Sequence, residues 1–100
     1  MPEDKIEIEN INTPGRTNRV DRAKYDAMRD ALLAVLPGEA PGLPVADAKE
    51  ALLPRLPDVL FPQGKTAGWW LKAVQLDLEA KGVVKRAPRK PVHLYKQGPI

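Results

Sequence analysis

One hundred residues with no cysteine suit one small domain held together by packing alone, since disulfides and thiolate metal sites are excluded. No apolar run approaches the length needed to span a membrane, and the acidic start MPEDKIEIEN lacks an apolar signal core, so a cytoplasmic protein with no membrane partner is expected. The net charge of +3 is uneven: residues 1–62 carry 8 Lys/Arg against 11 Asp/Glu, and residues 63–100 carry 8 against 2, so the basic excess lies in the last third.

Lys5–Asn12 opens with strict alternation, Ile6 and Ile8 against Glu7 and Glu9, which is the pattern of a half-buried strand. Ile11 breaks the alternation, so a bulge or the strand end is expected near Asn10. Pro14-Gly15 is a turn signal, and Thr17–Val20 reads as the returning strand. Asp21 is placed to cap a helix over Arg22–Leu36, whose Tyr25, Met28, Leu32, Val35 and Leu36 form one apolar stripe. Pro37-Gly38 ends it, and 39–42 reads as loop. Pro44 fits the first turn of a second helix over Val45–Leu53, which stops at Pro54. The proline-bounded run after it holds at most one helical turn, with Leu56, Val59, Leu60 and Phe61 closing the core.

Gln63-Gly64-Lys65-Thr66 resembles the end of a phosphate-binding loop, but that pattern needs a glycine five positions before Gly64, where Val59 stands. It reads instead as the turn that caps a third helix, with Thr66 at the N-cap and Gly82 as the left-handed residue that ends it. At about 100° per residue, Ala67, Trp70, Leu71, Val74 and Leu78 form its core face, and Gly68, Lys72, Gln75 and Glu79 its polar arc. Trp69, Ala73, Leu76 and Ala80 form a second apolar arc that needs a cover. Ile6 and Ile8 of the first hairpin, the second helix, or a homodimer or protein partner at Trp69 and Leu76 would each supply one.

Val83–Arg86 and Val92–Tyr95 are β-prone runs around the tip Ala87-Pro88-Arg89-Lys90-Pro91. Val84, Val92 and Leu94 point inward, and Lys85, His93 and Tyr95 outward. The cations at this tip suit a polyanion, though a hairpin that is basic for solubility would look the same. His93 is the only histidine and has no second imidazole or thiol beside it, so no metal and no cofactor are expected. The chain has no serine or cysteine nucleophile and no histidine–carboxylate motif, so no catalytic residue and no enzyme activity are expected.

From Tyr25 to Tyr95 the chain resembles winged helix-turn-helix domains. The likeness is carried by Trp70, by Val74-Gln75-Leu76-Asp77-Leu78-Glu79-Ala80-Lys81-Gly82-Val83-Val84, and by Pro91-Val92-His93-Leu94-Tyr95. It is similar to the amino-terminal winged-helix module of some restriction endonucleases, and nearly the whole chain resembles a small family of uncharacterised bacterial proteins of about this length. The resemblance implies an α+β fold of three helices and a C-terminal β-wing over 21–96, with an extra N-terminal hairpin over 1–20 and a tail at 97–100. It also implies duplex DNA as partner. Lys72 and Gln75 would then face the groove, and Lys85, Arg86, Arg89 and Lys90 would contact phosphates. Such a sparse reading face, with Glu79 beside it, favours backbone-driven over base-specific binding.

Overall fold

The computed structural model describes residues 4–88 and 90–96, an α+β fold with three α-helices and two small antiparallel sheets. The expected tail at 97–100 lies outside the described residues. The first sheet is the hairpin of β1 (Lys5–Glu9) and β2 (Thr17–Asp21), in the register Ile6↔Val20 and Ile8↔Asn18. Alternation turns Ile8 into the core, with Ile6 and Val20 half-buried beside it. The strand ends at Glu9, and Ile11 lies outside it at 42% exposure, the break in alternation marking the place.

Helix α1 (Arg22–Val35) starts as its cap dictates: the Asp21 carboxylate accepts from the amides of Ala23 at 2.9 Å and Lys24 at 3.3 Å. Tyr25, Met28, Ala31, Leu32 and Leu36 are buried. Between the expected loop at 39–42 and the second helix lies a short strand. Leu43–Pro44, β3, pairs with Leu94 and His93, and Pro44 therefore caps helix α2 (Val45–Leu52) instead of lying in its first turn. So short a strand has no periodicity of its own, and its partner alone defines it. Gly42 leads into it with φ +82°, and a Cβ there would lie 1.9 Å from the Leu94 carbonyl oxygen.

Two 3₁₀ turns, Leu53–Arg55 and Pro62–Gly64, replace the single turn expected between α2 and the third helix. Phe61 is buried and meets Trp70 edge-on at 6.4 Å, whereas Val59, expected in the core, is 86% exposed. Prolines on both sides fix the chain direction here, so the apolar run does not present one face. Helix α3 (Ala67–Ala80) follows Thr66 without the expected side-chain cap. Thr66 is left-handed, φ +62°, and its hydroxyl donates to the Lys65 carbonyl.

Gly82, φ +76°, closes α3 as expected: its amide donates to the Glu79 carbonyl and the Val83 amide to that of Leu78 at 2.9 Å. The chain then forms β4 (Val84–Arg86) and β5 (His93–Lys96), and the second sheet has the order β3-β5-β4. Val84 and Leu94 point into the core, Val92 is half-buried and Lys85 is exposed. His93 and Tyr95, expected to face mainly outward, are half-buried. The core joins α1, α2 and α3 to Ile8, Phe61, Val84 and Leu94.

Gly82 and Gly42 separate backbone strain from steric contact. A Cβ at Gly82 meets nothing within 4 Å, so Gly82→Ala costs about 1–2 kcal/mol, the left-handed penalty alone. Gly42→Ala adds collision with a backbone oxygen and costs on the order of 3 kcal/mol or more. Urea titration of the two variants checks the ranking, and equal losses would mean that β3 and β5 shift apart freely.

Candidate functional site

Asp77 lies at the point where the hairpin, α1 and α3 meet, and none of its surface is exposed. It accepts from the Glu9 backbone amide at 2.8 Å, from the Tyr25 hydroxyl, and from Lys81 Nζ at 2.9 Å. A buried carboxylate survives only with such donors, because it has lost its water. Lys81 also lies 5.9 Å from the centre of the Tyr25 ring, and Arg29 lies 5.8 Å from it. Burial first, and then the hydrogen bond to Asp77 and its charge, push the Tyr25 phenol well above its ordinary range. Every donor belongs to the chain itself, so this cluster is structural. Sequence reasoning missed it. The signal was Asp77 at i+3 from Val74 and i+7 from Trp70, a carboxylate on the boundary of two apolar arcs.

The polar arc of α3 is reorganised by a second cluster. Gln75 is 7% exposed, and its Nε2 donates to Glu79 Oε2 at 2.9 Å. Arg86 grips the same carboxylate with both ends, Nε to Oε1 at 3.2 Å and Nη2 to Oε2 at 3.0 Å. Gln75 is thus withdrawn from the solvent-facing position expected of a base-reading residue, and Glu79 carries its own counter-ion. Lys72, Lys85 and Lys90 are exposed and have no ion-pair partner among the described residues. Arg89, expected beside them, lies outside the described residues.

Between α2, α3 and the β4–β5 hairpin runs a groove of about 430 Å³. Lys49, Lys72 and Arg86 line it, with Gln75, Val45 and Val92, and no carboxylate is among its lining residues. Lys72, Gln75 and Arg86 are therefore brought together, while Lys85 and Lys90 stand apart from the groove. Lys49 was not foreseen. Its Nζ reaches over Gly68, 3.4 Å from where a Cβ would sit, a juxtaposition no local pattern reveals.

The other side of α3 faces the hairpin. Ile8 and Leu76 are both buried, 6% and 7% exposed, and both line the space between the hairpin and α3. Leu76 keeps only a small accessible edge, which lines the space on either side of it. Trp69 is not covered: it is 61% exposed and packs edge-on against Trp70 at 5.1 Å.

A profile described as a family of unknown function, DUF6958, matches residues 5–94. The chain belongs to DUF6958. No curated protein and no solved structure matches it. The DUF6958 match starts at the first residue of β1, so the family unit includes the hairpin that Asp77 anchors. Among the described residues of this DUF6958 chain, no group of three or more His, Asp or Glu could hold a metal ion, and no helix is long and apolar enough to cross a membrane.

Removing the Asp77 acceptor strands three donors, so Asp77→Ala costs about 3–5 kcal/mol. Tyr25→Phe removes one donor and costs about 1.5–3 kcal/mol at neutral pH. Because the folded state holds the Tyr25 proton more tightly than the unfolded state, this contribution is whole below about pH 10 and fades above it. Denaturation across this range checks the sign: the gap between wild type and Tyr25→Phe narrows as the pH rises.

Proposed function

We propose that this DUF6958 chain is a winged-helix protein that binds duplex nucleic acid, chiefly through the phosphate backbone. The groove lined by Lys49, Lys72 and Arg86 without a carboxylate carries the reading. The element order supports it: α1, β3, α2 and α3 lead into the β4–β5 hairpin, whose strand β5 also pairs with β3. Lys85 and Lys90 extend the cationic surface along the wing. The exposed cations release counterions from phosphates. Base reading in a major groove calls for free Arg, Asn or Gln donors, and Gln75 and Arg86 are already committed to Glu79. Binding is therefore sequence-tolerant, with register set by phosphate contacts.

Anisotropy titrations of random duplexes at several salt concentrations test this. Replacing Lys49, Lys72, Lys85 and Lys90 by Gln weakens binding, and the slope of log K against log salt flattens by about 0.9 for each phosphate that is no longer neutralised. Glu79→Gln keeps an acceptor for Gln75, frees Arg86 and strengthens binding several-fold. Absence of salt-dependent binding by the wild type at low ionic strength overturns the reading.

One observation favours a second reading, a protein-interaction or homodimerisation module with no DNA role: the exposed Trp69. Light scattering distinguishes it, because a dimer formed through this residue dissociates in Trp69→Ala and leaves duplex binding unaffected.

A further inference from the structure

The two long edges of the β1–β2 hairpin differ. The Arg22 amide donates to the Asp4 carbonyl at 3.0 Å, which sets the phase of the ladder. Even-numbered residues bond across the pair, and odd-numbered residues turn their backbone groups outward. On β1 the outward amide of Glu9 is taken by Asp77. On β2 the outward amides of Thr17, Arg19 and Asp21 have no hydrogen-bond partner among the described residues, and only Val20 of this strand is not fully exposed. Asn18, Arg19 and Val20 line a cleft with Trp69 and Ala73 of α3. The register turns the Arg19 side chain to the opposite face, so Arg19 meets this cleft with its backbone. An open strand edge thus lies beside an indole that is 61% exposed. Such an edge is a template for another strand.

The charges on the outer face of the hairpin select that strand. From them we infer that β2 pairs antiparallel with β2 of a second copy, about a two-fold axis at Val20, joining the two hairpins into one four-stranded sheet. Arg19 then lies opposite the partner's Asp21, and Asp21 opposite the partner's Arg19. Within each hairpin Arg19 already lies across from Glu7, and Asp21 across from Lys5. One row across the joined sheet therefore runs Glu7, Arg19, the partner's Asp21, the partner's Lys5, alternating in sign. An axis at Arg19 or at Asp21 would set like charges directly opposite, which is unfavourable. An axis at Asn18 would set Arg19 against Thr17 and form no ion pair. On the inner face Val20 meets the partner's Val20, and the added strand lies along the cleft at Trp69. The outer strand of the second sheet, β4, offers no such match, because Lys85 and Arg86 would repel their own copies. The inference gives the homodimer of the second reading an interface, and it does not rest on duplex binding, since no residue of β2 lines the basic groove.

The test is sedimentation equilibrium of the full chain, with amide hydrogen exchange at low and high protein concentration. So small an interface predicts a dimer with a dissociation constant on the order of 10–100 μM. The Arg19 amide exchanges more slowly as the dimer fills. Arg19→Glu, at an exposed position, weakens association about tenfold by placing like charges opposite at both ends of the pairing. Asp21→Asn, which keeps the helix cap, weakens it less, and Asp21→Lys weakens it as Arg19→Glu does. An equimolar mixture of Arg19→Glu and Asp21→Lys recovers a heterodimer, because each mutated residue then faces its opposite charge. A chain monomeric up to about 1 mM overturns both this inference and the second reading. A dimer that persists in Arg19→Glu but is lost in Trp69→Ala overturns this inference alone. So does a mixture that stays monomeric while both variants melt as folded proteins, or exchange at Arg19 that is independent of concentration.

Discussion

One buried carboxylate ties the β1–β2 hairpin and α1 to α3. Asp77 has no exposed area and takes a backbone N–H from β1, a hydroxyl from α1 and an ammonium from its own helix. Its partners lie 68 and 52 positions away along the chain, so it holds together elements that helix and strand geometry would not bring into register by themselves. An apolar residue there would pack but would leave the hairpin free to slide along α3. A carboxylate with three donors has one arrangement, and moving any donor leaves a buried charge short of a partner.

Fixing the hairpin divides α3 into two unlike sides. On one, facing the hairpin, Leu76 is buried and Trp69 stands exposed at a cleft. On the other, Arg86 neutralises Glu79, and Lys49 and Lys72 line the groove with no ion-pair partner among the described residues. For the duplex binding proposed above, such a surface with charge and few free base-reading side chains favours adhesion to a backbone over reading of bases.

What could be read from the chain beforehand follows from the range of each interaction. The Asp21 cap, the break at Ile11 and the Gly82 stop depend on neighbours within a few residues, and the pattern of those residues shows them. Strand β3, the exposure of Val59 and the reach of Lys49 over Gly68 depend on distant partners. Thr66 has the residue type of a cap without its conformation, because the preceding turn drives it left-handed. The second apolar arc of α3 was legible as an anomaly, and its residues part ways: Leu76 is buried and Trp69 is exposed.

Amide hydrogen exchange at Glu9 tests the anchoring role of Asp77 most directly. Glu9 and Asn12 each donate to a side-chain oxygen at 2.8 Å, but the acceptor for Asn12 is the exposed neighbour Asn10 and that for Glu9 is buried Asp77. If the carboxylate pins the hairpin, Glu9 exchanges only when the whole domain unfolds, at the same free energy as Val74 in the core. Exchange at Glu9 as fast as at Asn12 would show that the hairpin opens independently, and that Asp77 does not hold it.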